Sequence, residues 1–172
     1  IELARDMFVF HCLVGCRVGD LFALTRENIV GDFLEYIPSK NLNKGKTEVV
    51  RVPLCGKALN ILAKYEKYSP RIFPLLDEHF YNLAIQFVLE LSGVNRMVPV
   101  LNPLTRQEEM KPLYEVATSH VARRTFIANI YKHVKDQALV ASLTGHAPNS
   151  RAFARYRTID DDMKREIINL IK

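Results

Sequence analysis

The chain is poor in cysteine. Its 172 residues include three cysteines, Cys12, Cys16 and Cys55, which is an odd number with no dense framework of pairs. This use of cysteine is typical of a reducing cytoplasm, and it predicts a cytoplasmic protein. Cys12 and Cys16 lie four residues apart on an apolar helical pattern, whereas a zinc site would need more ligands at better spacing. We therefore expect buried thiols there and no bound metal.

The chain also lacks long apolar runs. None approaches the roughly 20 residues of a membrane-spanning helix, and no signal-peptide pattern opens the sequence. Internal repeats, low-complexity tracts and convincing linkers are missing too. The hydrophobic share of 48% and the charged share of 25% are those of an ordinary globular protein. We expect one domain over residues 1–172 with no membrane partner, excised from a longer protein because it begins inside a helical pattern.

Positive charge exceeds negative charge. Lysine and arginine number 24 and the acids 19, which gives a formal net charge of +5 and a pI near 9.2. The ranges 40–51, 119–124 and 151–157 are basic, while the acids gather elsewhere, as at residues 160–162. A positive field of this size permits binding to nucleic acid without proving it.

Hydrophobic periodicity predicts a mainly α protein with a small antiparallel β-sheet. The runs FLEYIPSK and TEVVRVPL flank the polar stretch Lys40–Lys46 and predict a hairpin with a long turn. Residues 93–117 are irregular and form either a loop or a second hairpin. A short helix restarts in RVGDLFALT after Gly15, and Asp136 is a predicted N-cap. The other predicted helices are 1–14, 56–68, 77–92, 119–134, 136–144, 150–157 and 160–171.

One helical turn, SHVARRTF at residues 119–126, carries a histidine and two consecutive arginines against an apolar run. Positions i and i+3 share a helix face, so His120 and Arg123 point the same way while Arg124 points elsewhere. On its own, the motif is equally that of a basic surface helix. A functional interpretation needs a reason for an imidazole and a guanidinium to converge.

Two motifs in the first third of the chain supply partners for this pair. In GCRVGDL, Arg17 follows a helix break, and Asp20 three residues later is able to hold it. Alone, that pair is an ordinary salt bridge. The second motif is the lysine cluster Lys40, Lys44 and Lys46 at the predicted hairpin turn.

Two further motifs lie near the end of the chain. In LTGHAP, His146 follows a glycine at a predicted helix end, and in FARYRT, Tyr156 lies ten residues beyond His146. Alone, His146 is equally a helix C-terminal histidine stabilised by the helix dipole, and Tyr156 is more often a tyrosine that packs in the core. The remaining histidines, His11, His79 and His133, show no partner pattern and receive no role.

Two arginines, a lysine, two histidines and a tyrosine in this order resemble the active-site set of the tyrosine recombinases, the phage-integrase family of DNA strand-exchange enzymes. The resemblance runs from Gly15–Leu21 to Tyr156 and implies the catalytic domain of a mobile-element integrase, without the separate N-terminal core-binding domain. The ten-residue spacing before the tyrosine is one longer than in many relatives. Thr144 stands before Gly145, where leucine is common.

The chemistry of a phosphodiester accounts for these residue types. Planar, permanently charged guanidinium groups suit paired phosphate oxygens, so Arg17 and Arg123 are the expected clamp. Tyr156 is the expected nucleophile, and its ordinary pKa of about 10 means that it needs a base or a strongly positive site. His120 is the expected proton acceptor. No clustered carboxylates are present to hold a metal ion.

The resemblance implies the remaining roles. His146 is expected to donate a hydrogen bond to a phosphate oxygen, and a lysine of the hairpin turn to protonate the leaving 5′-oxygen. We choose Lys40, directly after the first strand, with Lys46 as a serious rival and Lys44 as a weaker one. Lys44, Lys46 and Arg124 are further expected to contact the DNA backbone.

The implied activity is cleavage and rejoining of double-stranded DNA through a covalent 3′-phosphotyrosine with a free 5′-hydroxyl, with no metal, ATP or other cofactor. The implied assembly is a synaptic tetramer on DNA, with the isolated domain monomeric, in the cytoplasm of a bacterium. Two alternatives stay open. One is a type IB topoisomerase with similar chemistry, and the other is a catalytically silent DNA-binding module such as a helical regulator.

Overall fold

A computed structural model of the chain describes residues 1–43, 45, 47–134, 136–145 and 168. Most of this part of the chain is helical. In chain order the α-helices are α1 (Glu2–Val14), α2 (Val18–Ala23), α3 (Ser39–Leu42), α4 (Gly56–Lys64), α5 (Glu78–Leu91), α6 (Leu113–Val116), α7 (Ser119–His133) and α8 (Gln137–Thr144). The strands are β1 (Ile29–Val30), β2 (Phe33–Tyr36), β3 (Val50–Pro53), β4 (Met97–Leu101) and β5 (Glu108–Pro112).

The strands form two small antiparallel sheets, one with the order β1-β2-β3 and one with β4 beside β5. In the first sheet, Leu34 pairs with Val52 and Tyr36 with Val50, and all four side chains are buried. The predicted class, mainly α with a small antiparallel sheet, is confirmed. Residues 93–117 contain the second of the two predicted alternatives, a hairpin.

The first predicted hairpin is shorter than its sequence pattern. The strand predicted over FLEYIPSK ends at Tyr36, because Pro38 has no N–H to donate and instead precedes the helical turn α3. The expectation that Lys40 follows a strand directly is therefore wrong, since Lys40 lies in α3. The two-residue strand β1 was missed because two residues show no periodicity.

The helix predicted over 56–68 also ends early. Tyr65 leaves the helical conformation with φ −110° and ψ 18°, and a 3₁₀ turn covers Glu66–Tyr68. Buried Asp6 of α1 accepts hydrogen bonds from Lys64 Nζ at 3.0 Å and from Tyr65 Oη at 3.2 Å. These two bonds tie the end of α4 to α1.

The helices predicted over 77–92, 119–134 and 136–144 match α5, α7 and α8 within about a residue, whereas α6 lies in a range where no helix was predicted. The predicted N-cap is confirmed at α8, where the Asp136 carboxylate accepts hydrogen bonds from the amides of Ala138 and Leu139. The helices predicted over 150–157 and 160–171 lie outside the described residues, apart from Ile168, which is helical and exposed.

Helix α1 lies at the centre of the core. It packs against α7, α5 and α4, and its residues Met7, Phe10 and Val14 are fully buried. Cys16 is buried, as expected, whereas Cys12 is only half-buried and Cys55 is exposed. None of the helices in the described ranges combines the length and the apolar character that crossing a membrane requires.

Candidate active site

The turn between α1 and α2 presents Arg17. Gly15 ends α1 in the left-handed conformation, with φ 65° and ψ 15°, and its amide donates to the His11 carbonyl at 2.9 Å. Glycine is required there twice over, because its φ is positive and because a Cβ would overlap the ring of Phe126. Arg17 then occupies the N-cap of α2 in an extended conformation.

Arg123 binds the ends of two helices at once. Its side chain is only 2% exposed. Nη1 donates to the Gly15 carbonyl at 2.7 Å, and Nη2 donates to the Thr144 carbonyl at 2.8 Å. A buried guanidinium needs such acceptors, because an unpaired buried charge is very costly. Arg123 therefore joins the end of α1, two residues before Arg17, to the end of α8, two residues before His146.

His120 lies one helical turn before Arg123 on α7. Desolvation by the surrounding protein lowers the pKa of His120 below its ordinary value of 6.5, and the positive charges of Arg123, Arg124 and Arg17 lower it further. The neutral imidazole, the form that accepts a proton, is therefore the main form at pH 7. Because Arg17 and Arg123 both act on this ring, the three predicted residues lie in one electrostatic neighbourhood.

Asp20 connects Arg17 to the turn that carries Lys40. Its Oδ2 lies 3.8 Å from Arg17 Nη1, and its Oδ1 accepts hydrogen bonds from the Ser39 amide at 2.8 Å and the Ser39 hydroxyl at 2.7 Å. Asp20 itself is buried, so its carboxylate holds both groups from inside the protein. Helix α3, and exposed Lys40 within it, is thus held beside the Arg17 guanidinium.

The end of α8 lies on the base of the same hairpin turn. Gly145 has φ 63°, and a Cβ on it would come 2.9 Å from both Pro38 Cγ and Val50 Cγ2. His146, the next residue, lies outside the described residues, as do Tyr156, Lys44 and Lys46. The structure brings together Arg17, His120, Arg123, the turn bearing Lys40 and the residue that precedes His146.

The charge of Arg124 also acts on His120, but its side chain lines a different surface. Its side chain is exposed and, with Arg96, lines a largely apolar cavity of about 650 Å³ between β4 and α7. The sequence predicted that Arg124 points away from the face shared by His120 and Arg123, and in the folded chain the Arg124 side chain does so.

Two buried residues near this site were missed by the sequence reasoning. His11 is 1% exposed, and its Nε2 lies 2.9 Å from the Cys16 carbonyl oxygen. Tyr36 is buried, and the positive charges of Arg123 and Arg17 act on it. Its hydroxyl has no hydrogen-bond partner among the described residues. One signal was available for His11, which shares the apolar face of α1 with Met7 and Val14. No pattern marks Tyr36.

The charges of the site suit an oxyanion. Two guanidinium groups lie within electrostatic reach of a neutral imidazole, and such a set can hold phosphate oxygens, offset the charge that grows on them and accept a proton. Within the described ranges, no group of three or more His, Cys, Asp or Glu side chains is placed to hold a metal ion.

No protein-family model matches the chain, and no curated protein matches it either. Solved structures do match. The chain superposes on XerA recombinase with a TM-score of 0.65 at 16% identity, over 98% of this chain and 63% of that one. A lambda integrase tetramer bound to a Holliday junction gives 0.64 at 19% identity, over 91% of this chain and 42% of that one.

A third similar structure is the Tn1549 transposon integrase in complex with transposon right end DNA, with a TM-score of 0.65 at 13% identity. It matches over 96% of this chain and 58% of that one. The chain therefore spans about two fifths to two thirds of the length of these proteins. At these identities the comparison shows the fold, which is that of the tyrosine recombinase catalytic domain.

Proposed function

We propose that this chain is the catalytic domain of a site-specific DNA recombinase that cleaves and rejoins strands through a covalent 3′-phosphotyrosine. The observation that carries the proposal is the position of Arg123, whose guanidinium bonds the helix ends next to Arg17 and next to His146. These two bonds join three of the sequence motifs, GCRVGDL, SHVARRTF and LTGHAP, which are spread over more than 120 residues. DNA-bound recombinases with the same fold support this function.

In this mechanism, Arg17 and Arg123 hold the non-bridging oxygens of the scissile phosphate. The Tyr156 oxygen attacks phosphorus while its proton passes to neutral His120, the P–O5′ bond breaks, and Lys40 protonates the leaving 5′-oxygen. His146 donates a hydrogen bond to a phosphate oxygen. The tyrosyl phosphodiester keeps the energy of the broken bond, so the 5′-hydroxyl of a second strand can rejoin without ATP.

The proposed partners are double-stranded DNA and further copies of the chain in a synaptic tetramer, with the isolated domain monomeric. The tetrameric lambda integrase complex supports this assembly. No cofactor is needed, because the charge on the phosphate is offset by side chains. We place the protein in the bacterial cytoplasm, where its DNA substrate lies.

Covalent capture tests the function without knowledge of the target site. The chain would be incubated with nicked duplexes that contain a randomised segment, so that the nick releases a short strand and traps the adduct. Denaturing gels should show protein linked to a 3′-end, and peptide mapping should place the DNA on Tyr156. Tyr156→Phe should bind the same pool and form no adduct.

The two alternatives give different results. A type IB topoisomerase would relax supercoiled plasmid as a monomer without pairing two sites, whereas a recombinase would assemble captured sites before exchanging strands. A silent DNA-binding module would bind DNA and form no adduct with the wild-type chain, which would overturn the proposal.

A further inference from the structure

Two consecutive carbonyl groups within the α1–α2 turn both accept hydrogen bonds from buried side chains. Arg123 binds the Gly15 carbonyl, and His11 binds the next one, that of Cys16, at 2.9 Å. The His11 carbonyl also accepts the Gly15 amide at 2.9 Å. His11 therefore binds this turn through both its backbone carbonyl and its ring. The proposed mechanism gives His11 no role.

The hydrogen-bond partners define the tautomer of His11. A carbonyl oxygen can only accept, so Nε2 of the ring must carry a proton and donate it. The other nitrogen, Nδ1, lies 3.4 Å from the Tyr81 hydroxyl, which can donate to it when the ring is neutral. Burial lowers the pKa of His11 to about 4, so the neutral ring is the form present at pH 7.

The Cys16 carbonyl controls the backbone of Arg17. The peptide unit is planar, so the Cys16 C=O and the Arg17 N–H share one plane, and a hydrogen bond that orients the first orients the second. That plane sets the direction in which Arg17 leaves the backbone at the N-cap of α2. Rotation of the plane would carry the Arg17 guanidinium away from its 3.8 Å approach to Asp20.

We infer that His11 is a positioning residue for the phosphate clamp, and that it acts by fixing the Cys16–Arg17 peptide plane through its Nε2 hydrogen bond. The inference rests on the proposed function for the reaction it serves, but the contact itself is independent of any activity. This positioning role depends on a single hydrogen-bond donor, Nε2. It can therefore be tested separately from the packing of the His11 ring in the core.

Three substitutions separate the donor from the volume. His11→Leu keeps an apolar side chain of related size and removes the donor. His11→Gln restores an N–H at about the reach of Nε2. Tyr81→Phe deletes a neighbouring buried hydroxyl and leaves the Cys16 bond in place, so it is the matched control for the loss of a buried polar group.

The first measurement is independent of DNA cleavage. Imidazole ¹⁵N spectra of the wild-type chain should show the Nε2–H tautomer at pH 7. The Cys16 carbonyl and Arg17 amide shifts should move in His11→Leu and stay near wild type in His11→Gln and Tyr81→Phe. An Nδ1–H tautomer, or an Arg17 amide that ignores His11→Leu, would overturn the inference.

The second measurement is single-turnover cleavage at saturating captured DNA. His11→Leu should slow the chemical step about 10- to 100-fold with little change in DNA affinity, because misplacement of a remote support costs rate more than binding. His11→Gln should recover most of the rate, and Tyr81→Phe should stay within a few fold of wild type.

A double-mutant cycle with Arg17→Ala identifies the route of the effect. If His11 acts through Arg17, adding His11→Leu to Arg17→Ala should change the rate less than about twofold. If the two substitutions instead slow the rate by the product of their single effects, His11 acts only as a core residue. The same conclusion follows if the unfolded fraction, measured by circular dichroism at the assay temperature, accounts for the slower rate of His11→Leu. An inactive wild-type chain would instead refute the proposed function, and the spectra would still decide the contact.

Discussion

The two arginines of the candidate clamp stand in different surroundings. The Arg17 side chain is 32% exposed and rests on one carboxylate at 3.8 Å. Arg123 is almost fully buried and bonds two backbone carbonyls. Both are proposed to hold the same phosphate, but only Arg123 also holds the protein together. Their removal should therefore be distinguishable by stability as well as by rate.

Arg123→Ala should lose both cleavage and stability, and Arg17→Ala mainly cleavage. Removing Arg123 deletes the two hydrogen bonds that a charged group donates to the Gly15 and Thr144 carbonyls, at about 1.5–3 kcal/mol for each bond. Each variant should slow cleavage on the order of 10²-fold or more, because a preorganised charge is lost. Urea denaturation and single-turnover assays measure the two effects. An Arg123→Ala chain as stable as Arg17→Ala would contradict the structural half of this role.

The general acid is the next test at this scale. Lys40→Ala should slow cleavage by roughly 10²- to 10⁴-fold, because the 5′-oxygen leaves poorly without a proton. A substrate with sulfur at the 5′-bridging position should restore much of that rate, since a thiolate leaves unprotonated. Lys46→Ala is the matched control. Rescue by sulfur in Lys46→Ala and not in Lys40→Ala would transfer the role to Lys46.

Acid should destabilise the fold through His11. Its folded pKa of about 4 lies below the unfolded value of 6.5, so between these pH values the unfolded chain binds a proton that the folded chain refuses. Stability should therefore rise with pH through this window, by about 3 kcal/mol from this group. The charged Arg123 and the titratable His120 act on this ring, and the Tyr81 hydroxyl lies 3.4 Å from its Nδ1.

His11→Gln does not titrate and isolates this contribution. In urea denaturation between pH 4 and 7, the wild-type chain should lose more stability on acidification than the variant does. Parallel curves for the two proteins would show that His11 is not held neutral in the folded state.

The order of the motifs predicted which residues would lie near one another, but not the buried residues that support them. Arg17, His120 and Arg123 are placed together by the fold as their motifs suggested. The role of His11 was not predicted because its hydrogen-bond partner is the Cys16 backbone carbonyl. Every residue has a backbone carbonyl, so the residue types give no sign of this contact. Tyr36 escaped because its surroundings come from three distant segments.

At the scale of elements, the site is made of helix ends and one turn. Helices α1 and α8 both end in a glycine with positive φ, and both ends point their last carbonyls at Arg123. The α8 end also rests on Pro38 and Val50 at the base of the hairpin turn. The position of one element therefore constrains the others.

Gly145→Ala should be more damaging than a change at an equally strained glycine elsewhere. Gly31 has the same φ of 63° with open space around it, so Gly31→Ala reports backbone strain alone, about 1–2 kcal/mol. Gly145→Ala adds the clash with Pro38 and Val50. It should cost more stability in urea denaturation and slow cleavage, whereas Gly31→Ala should leave cleavage unchanged. Equal effects at both positions would contradict the packing.

The elements themselves were largely predictable where a period was long. The helices α5 and α7 follow from apolar spacing, whereas the N-cap that Asp77 supplies to α5 is seen only in the structure. The details of the hairpin did not follow, because the buried carboxylate of Asp20 draws the Ser39 amide and hydroxyl into a helical turn. A bond between residues 19 apart in sequence overrides the local β pattern.

At the scale of the whole molecule, the open question is how cleavage is coupled to assembly. The segment DDDMKREIINLIK at the end of the sequence carries an apolar stripe at Met163, Ile167, Leu170 and Ile171, close behind Tyr156. The stripe lies outside the described residues. It either folds back on its own core or docks on a neighbouring copy.

Deleting the residues after Arg157 should preserve DNA binding, weaken cooperative assembly on paired sites and change cleavage. Gel shifts on single and paired sites, with the adduct assay, measure these three quantities. Circular dichroism of the truncated chain is the control for folding. A truncated chain that is unfolded, or one whose assembly and cleavage match the full chain, would favour folding back on its own core.

The bonds of Arg123 have a consequence for biosynthesis. Its acceptors belong to Gly15, early in the chain, and to Thr144, near its end, so a chain still on the ribosome has the guanidinium before it has the second acceptor. The proposed nucleophile, Tyr156, is made later still. If the proposed function holds, a nascent fragment that stops before Thr144 lacks both the second acceptor of Arg123 and the nucleophile, so it cannot break DNA.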